Sequence, residues 1–158
     1  MKILSQLIRI TAKFFKLSWG EQRLLFKVFF LSGIVRFAIL FFPFNKLAAF
    51  AGNHKEESSD QVSDIDKVTI NKIGWAISVV SRFTPWQSKC FVQGLTGQIM
   101  LRKRKISSTL YLGVAKDREK KLVAHAWLRS GTTIVTGGYG YNSFTQVAKF
   151  KNKVREWK

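Results

Sequence analysis

The only cysteine of this 158-residue chain constrains its fold more than any other residue. Cys90 follows Pro85, which disfavours helix in the residue before it and suits a first helical turn, so we predict a helix that begins near Trp86 or Ser88. Its apolar residues recur at four-residue spacing: Phe91, Leu95 and Ile99. Cys90 then lies in the first turn, where free N–H groups and the helix dipole stabilise a thiolate. The segment therefore predicts a cysteine nucleophile at a helix N-terminus.

A predicted β-hairpin downstream carries a second candidate. Two runs with strand composition flank the pair Ser130-Gly131, which suits a two-residue turn. Counting outward from that turn places His125 opposite Thr136 across the ladder. His125 is therefore the candidate base, and Thr136 is the candidate for orienting it.

Each candidate also has a purely structural interpretation. A single cysteine is more often a small buried apolar residue, and His125 could be a hydrogen-bonded histidine of the core. Gln87, three residues before Cys90, could donate its amide to an oxyanion beside the Cys90 backbone N–H, although a polar residue at a helix start needs no function. The helix start, the strand histidine and the order of the two elements favour the catalytic interpretation.

The net charge is +18, from 27 Lys and Arg against 9 Asp and Glu. Such a charge favours anionic partners, but zinc-finger spacing and glycine-aromatic RNA-binding runs are absent, so a solvated basic surface is favoured over nucleic-acid binding. A single cysteine excludes an internal disulfide, and no Cys/His cluster has metal-ligand spacing. We therefore expect no metal or other cofactor, and a reducing cytoplasm as the location.

Three regions are predicted along the chain: a helical N-terminal region over 1–52, an acidic polar linker over 53–66 and a core domain over 67–158. The linker follows from its acidic and polar composition, which offers little that packs. The third region reads, in order, as a helix leading to Cys90, the Cys90 helix, a strand, the hairpin of His125, a glycine-aromatic loop and a last strand. Helices followed by antiparallel strands predict an α+β fold.

The N-terminal region is apolar and basic. Residues 1–17 have the spacing of a basic amphipathic helix, and Ser18 and Glu21 have the spacing of a capping box that starts a second helix, which Pro43 ends. Two basic residues interrupt the apolar run of that second helix, which leaves it short of the roughly 20 residues of a membrane span. We expect the region to pack on the core domain or to dock a partner protein. A membrane interface is the alternative.

The segments around both candidates resemble one known family. They are PW and the cysteine within 85–90, LYLGVAKD at 110–117, AHAWL at 124–128 and IVTGG at 134–138. With the aromatic-basic N-terminal helices, these segments are similar to the lasso peptide leader peptidases, the transglutaminase-like cysteine protease half of the split lasso maturation proteins. The resemblance implies N-terminal helices followed by a papain- or transglutaminase-like core, in which a helix bears the cysteine and an antiparallel sheet bears the histidine.

The resemblance also implies roles for single residues. Cys90 falls on the nucleophile of the family, with its backbone N–H at the oxyanion, and His125 falls on the general base. The third member is usually an aspartate, and Thr136 or Gly137 takes that place here. Thr136 is our candidate for the third member, and Asp117, in the loop before the histidine strand, is the weaker one.

The function implied by the resemblance is removal of the leader from a lasso peptide precursor through a Cys90 thioester, which frees the core α-amine for macrolactam formation. The implied partners are the precursor peptide, a separate leader-recognition protein and the lasso cyclase, with no nucleic acid. The alternatives are a transglutaminase-like acyltransferase or amidase with the same Cys-His pair, and a non-catalytic basic adaptor on a membrane or partner. The expected location is the cytoplasm, with or without peripheral membrane contact.

Overall fold

A computed structural model describes residues 12–154 of the chain. Its elements, in chain order, are α1 (Trp19–Phe41), α2 (Phe44–Ala51), β1 (Asn53–His54), α3 (Asp64–Val80), α4 (Cys90–Lys103), β2 (Thr109–Lys116), β3 (Leu122–Ser130), β4 (Thr133–Thr136), a 3₁₀ turn (Tyr141–Ser143) and β5 (Thr145–Lys151). The helix predicted over residues 1–17 lies mostly outside the described residues. Helices followed by an antiparallel sheet confirm the predicted α+β fold.

The strands form one antiparallel sheet in the order β1-β5-β2-β3-β4. The central strand β2 pairs with β3 along its whole length, from Thr109 opposite Arg129 to Lys116 opposite Leu122, and with β5 on its other side. The short β1 pairs with β5 at one edge of the sheet, and β4 forms the other edge. The predicted strands at 109–115 and 144–150 are therefore confirmed to within a residue at each end.

The turn of the β3–β4 hairpin differs from the prediction. Ser130 pairs with Thr133, so Gly131 and Thr132 form the turn instead of Ser130 and Gly131. Gly131 has a φ of 56°, a left-handed conformation that glycine adopts without steric cost. Gly131 therefore takes the first turn position, and the turn lies one residue later than predicted.

The register of this hairpin also differs. A bulge places Val135 as an extra residue of β4, and Leu128 then lies opposite Thr136. The prediction that His125 faces Thr136 across the ladder was wrong, because neither the displaced turn nor the extra residue has a signal in strand composition.

One face of the sheet carries the core. Leu110, Leu128 and Phe150 lie side by side on three neighbouring strands and are almost completely buried. Helix α4 lies close against this face, since a Cβ added to Gly94 would be 2.6 Å from Leu110 Cδ1, and one added to Gly97 would be 2.7 Å from Leu128 Cδ2. The two glycines therefore allow the cysteine helix to approach the sheet closely.

Helix α1 begins and ends where the sequence predicts. Glu21 N–H donates to the Ser18 hydroxyl at 3.3 Å and Ser18 N–H donates to the Glu21 carboxylate at 2.9 Å, which confirms the capping box. The helix ends at Phe41, two residues before Pro43. A stripe of four residues is buried: Leu25, Val28, Ser32 and Val35.

The other side of α1 is apolar and exposed. The α1 face, as we name it, consists of five residues whose exposed fractions lie between 54% and 66%: Phe26, Phe30, Ile34, Phe37 and Phe41. By length and composition α1 could cross a membrane, with a window of mean hydropathy 2.2 that is only 22% buried. Core helices of soluble proteins and signal sequences meet the same criteria, so the sequence interpretation that α1 is not a span stays a prediction.

The acidic segment over 53–66, predicted as a linker, contacts the sheet face opposite the core. The Glu57 carboxylate accepts hydrogen bonds from Lys149 at 2.5 Å, from Arg129 at 2.8 Å and from the Tyr111 hydroxyl, and Asp60 pairs with Arg129. These contacts hold a segment whose composition predicts little packing. The division of the chain into three regions stays a prediction.

Glu57 makes the stability of this segment dependent on pH. Hydrogen bonds from Lys149 and then from Tyr111 lower the pKa of Glu57 to about 2. A pKa lowered on folding stabilises the protein above the unfolded pKa, and this stabilisation is lost as the pH falls toward 2. Because the carboxylate is partly exposed, we expect Glu57→Gln to lower the free energy of unfolding at pH 7 by on the order of 1 kcal/mol.

We expect the difference in free energy of unfolding between wild type and Glu57→Gln to become smaller as the pH is lowered from 5 to 2.5. Urea titrations followed by circular dichroism measure it. The neighbouring exposed Glu56→Gln is the control. A loss of stability in Glu57→Gln that is the same at both pH values would show that the charge of Glu57 does not cause it.

Candidate active site

Cys90 is the first residue of α4, a free thiol that is partly buried. The preceding Lys89 is extended, and its side chain does not cap the helix. Among the described residues, no side chain caps the first-turn N–H groups of this helix. The helix begins two to four residues later than predicted, but the prediction that Cys90 lies in its first turn is confirmed.

The loop before Cys90 is held at two points. Trp86 packs on α1, with its ring 4.8 Å from that of Phe29 and 3.2 Å from the position of a Cβ on Gly33. The Gln93 side chain donates to the Ser88 carbonyl at 2.8 Å. Together these contacts set the direction from which the chain enters α4 and so the position of Cys90.

Gln87, the predicted oxyanion donor, is exposed in this loop, and no hydrogen bond joins it to Cys90 among the described residues. The glutamine with a fixed position near Cys90 is Gln93, one helical turn after it, whose side chain is hydrogen-bonded to the Ser88 carbonyl. The sequence offers no signal for that role, because Gln93 acts on the loop preceding its own helix. The oxyanion role of Gln87 stays a prediction.

His125 lies on β3 with its ring on the sheet face opposite the core. It shares that face with Trp127, whose ring stacks at 6.1 Å, and it contacts the Phe144 ring at 4.8 Å. Its Nε2 is 2.8 Å from the Gly137 carbonyl oxygen. A carbonyl only accepts hydrogen bonds, so Nε2 carries the proton and Nδ1 of the neutral ring is left as the base.

Gly137 is the residue that orients His125. Its φ is 71°, and an added Cβ would lie 2.2 Å from the Ala126 carbonyl oxygen, so only glycine fits. This bend turns the Gly137 carbonyl toward the imidazole. The carbonyl occupies one of the two places that the family resemblance gives to the aspartate, and it orients the ring without supplying a negative charge.

Thr136 and Asp117 have different surroundings from His125. The Thr136 side chain is on the helix side of the sheet, with Oγ1 3.8 Å from the position of a Cβ on Gly94, and no hydrogen bond reaches Oγ1 within residues 12–154. Asp117 Oδ1 accepts from the backbone N–H groups of Glu119 and Lys121 in its own loop. Among the described residues, then, the imidazole is joined to Gly137 and to neither candidate.

Cys90 and His125 lie on elements that pack together but on different sides of the sheet. Cys90 packs beside the core, whose residues include Ala126 and Leu128 on either side of Trp127. In the described part of the chain, no hydrogen bond joins the Cys90 sulfur to the His125 ring. Catalytic hydrogen bonds often form only with substrate bound, so a reactive pair requires the two groups to approach on binding.

A polar cavity of about 360 Å³ lies beside Gly137, between α3, α4 and β4. Its polar lining includes Ser78 at the end of α3, Arg82 in the turn that follows that helix, Gln93 on α4 and Thr136 on β4. Sequence reasoning did not bring these residues together, because they come from separate elements. Within residues 12–154, no three His, Cys, Asp or Glu side chains are grouped in a way that could hold a metal ion.

Comparison with known proteins identifies a family for this chain. The model of one family, described as the transglutaminase-like superfamily, matches residues 34–149, from the second half of α1 into β5. The matched part includes Cys90, His125 and Gly137. No curated protein and no solved structure gives a significant match. With more than half of its length matched, and with a helix-borne cysteine followed by a strand histidine, this chain belongs to the transglutaminase-like superfamily.

Proposed function

We propose that the protein is a cysteine peptidase that removes the leader from a lasso peptide precursor. Superfamily membership supports Cys-His chemistry of the hydrolase or transferase kind. The observation that carries the proposal is the tautomer of His125, in which the Gly137 carbonyl holds Nε2–H and leaves Nδ1 to accept a proton. The similarity of the segments around both residues to the leader peptidases supports the choice of substrate.

The proposed reaction requires substrate binding to bring the Cys90 sulfur and His125, which lie on different sides of the sheet, within hydrogen-bond distance. His125 Nδ1 then takes the thiol proton, and the Cys90 sulfur attacks the carbonyl carbon of the last leader residue. The Cys90 backbone N–H donates to the oxyanion that forms, with Gln87 as a candidate second donor. Collapse of the tetrahedral intermediate breaks the peptide bond, and His125 protonates the departing core amine. The leader is then bound to Cys90 as a thioester.

Water completes the cycle. His125 takes a proton from water as the oxygen attacks the thioester, the C–S bond breaks to release the leader acid, and His125 returns its proton to the Cys90 sulfur. The products are the leader acid and a core peptide with a free α-amine, ready for macrolactam formation by a separate cyclase. No cofactor takes part in these steps.

The proposed partners are the precursor, a separate leader-recognition protein and the cyclase. We place the docking of the recognition protein on the α1 face, because an apolar surface this exposed is rare on a free soluble protein. A net charge of +18 adds attraction for an acidic partner or peptide. The proposed setting is the cytoplasm, where a catalytic thiol stays reduced.

The test is incubation of the full-length protein with a precursor peptide, with and without the recognition protein, followed by mass spectrometry. We expect cleavage at one bond and two products whose masses add to that of the precursor plus one water. When hydroxylamine is added, part of the leader should be released as a hydroxamate instead of the acid. The hydroxamate reports the thioester, because hydroxylamine competes with water for it.

Two results would contradict the proposal. Transfer of the leader to an added amine without hydrolysis would establish the acyltransferase alternative. An intact precursor, despite demonstrated binding to protein and recognition partner, would leave an adaptor that acts through the α1 face or on anionic lipid. In that case vesicles of anionic lipid, compared with neutral ones, would distinguish a membrane from a protein partner.

A further inference from the structure

A second exposed apolar surface lies on α2 and on the short connection that precedes it. Leu47 and Ala51 are the buried residues of α2 and join it to the rest of the protein. Phe42, Phe44 and Phe50 are each about half exposed, with fractions between 48% and 54%. We name these three aromatic residues the α2 patch, and none of them belongs to the α1 face.

Basic side chains border the α2 patch. The Arg102 guanidinium is 4.5 Å from the centre of the Phe50 ring and donates to the Phe50 carbonyl oxygen at 3.2 Å. Lys46 is exposed on α2 itself, and Lys103 is exposed directly after Arg102. In the described part of the chain, none of these three cations forms an ion pair with an acidic side chain. The patch therefore combines exposed aromatic rings with positive charge.

Negative charge is absent from the two helices that form this surface. α2 lies along α4, since the Phe44 ring is 6.1 Å from that of Phe91 in the first turn of α4, and Phe50 contacts the last turn. The sequence has no Asp or Glu in residues 22–55 or 67–116, which contain both helices completely. A partner of this surface therefore meets positive charge only.

The combination of phenylalanine and lysine favours a membrane over a protein as that partner. Lysine is depleted in protein–protein interfaces. Phenylalanine beside lysine and arginine is typical of helices that lie in the boundary between lipid headgroups and acyl chains. The negative surface potential of anionic lipids attracts the basic residues further. Charge complementarity therefore selects an anionic membrane surface.

We propose that the α2 patch binds the surface of a membrane that contains anionic lipid. Its aromatic side chains enter the boundary between headgroups and acyl chains, and Lys46, Arg102 and Lys103 bind lipid phosphates. The contact is peripheral, and the α1 face stays available to the recognition protein. The inference goes beyond the peptidase proposal and does not depend on it, because lipid binding requires no precursor.

The test is sedimentation of the full-length protein with vesicles. We expect binding to vesicles of phosphatidylcholine mixed with phosphatidylglycerol, little binding to phosphatidylcholine alone, and weaker binding at about 1 M salt, where charges are screened beyond about 3 Å. Phe44→Ser and Phe50→Ser are each expected to lower the partition coefficient for anionic vesicles about tenfold. Lys46→Gln is expected to lower it about fivefold.

Helix α3 provides the matched controls, because it packs on β4 at one edge of the sheet, whereas α2 packs on β1 and β5 at the other. Ile65→Ser and Lys72→Gln change exposed residues of α3 and should leave the partition coefficient unchanged. Circular dichroism shows whether each variant is folded. Lys46→Gln changes only an exposed side chain, so it tests the proposal even where a phenylalanine variant unfolds.

Several results would overturn the proposal. Equal binding to neutral and anionic vesicles, or binding to neither, would exclude an anionic surface as the partner. Loss of binding in Phe30→Ser, with wild-type binding in Phe44→Ser, would assign the lipid contact to the α1 face. Protein that resists extraction from vesicles by alkaline carbonate would indicate that α1 spans the bilayer. Failure of the peptidase proposal is distinguishable, because it is measured as precursor cleavage without vesicles.

Discussion

Alanine in place of Cys90 or His125 is expected to lower kcat/KM for precursor cleavage by about 10⁴-fold, and the double variant is expected to be no worse than either single one. Residues that act as one unit lose their contribution together, so their effects do not multiply. This outcome is informative here because the described structure contains no hydrogen bond between the two side chains. Non-additive losses would establish that they approach each other once substrate is bound.

The measurement is single-turnover cleavage followed by mass, with precursor binding and thermal unfolding recorded for each variant. His54→Ala is the matched control, since His54 is the other histidine of the chain, and it should cleave like wild type. Losses that multiply in the double variant would show that Cys90 and His125 act separately. Precursor cleavage by Cys90→Ala at the wild-type rate would disprove the peptidase proposal.

Gly137→Ala is expected to lower the free energy of unfolding by about 2–4 kcal/mol and to reduce kcat/KM further than the folded fraction explains. Two terms contribute: a left-handed φ of 71°, which costs a residue with a Cβ about 1–2 kcal/mol, and the contact of 2.2 Å between that Cβ and the Ala126 carbonyl oxygen. The backbone must shift to relieve this contact. The shift displaces the carbonyl that holds His125 Nε2.

Gly140→Ala separates the two terms. Gly140 has nearly the same φ, 69°, but an added Cβ meets nothing within 4 Å, so only the conformational cost of about 1 kcal/mol is expected. Urea unfolding gives the stabilities, and kcat/KM at temperatures where both variants are folded gives the activities. Equal stability and activity for the two variants would refute the role of the close approach at Gly137.

Local rules account for the features that the sequence predicted well. The capping box of Ser18 and Glu21, the end of α1 before Pro43 and the position of Cys90 in a first turn each depend on residues a few positions apart. For the same reason β2 and β5 were predicted nearly to the residue. Their composition and length are properties of contiguous segments.

Features that depend on pairing between elements were not accessible in this way. The extra residue Val135 changes the partner of Thr136 from His125 to Leu128, and no local pattern marks such a bulge. The cavity was missed for the same reason, because Arg82, Gln93 and Thr136 meet only once three elements have packed.

The orienting partner of His125 was predictable only in part. Sequence reasoning placed the usual aspartate at Thr136 or Gly137 and favoured the threonine, because a side chain was the expected donor or acceptor. The structure joins the imidazole to a backbone carbonyl, which every residue possesses and which composition therefore cannot reveal. The pair Gly137-Gly138 was the available signal, since adjacent glycines indicate a backbone that must bend sharply.

The packing of Trp86 on α1 affects the position of Cys90. The indole packs against the Phe29 ring and against Gly33, which has no side chain, and only three residues separate it from Cys90. We expect a side chain at position 33 to displace the indole, since a Cβ there would lie 3.2 Å from the ring, and so to shift the start of the helix that bears Cys90.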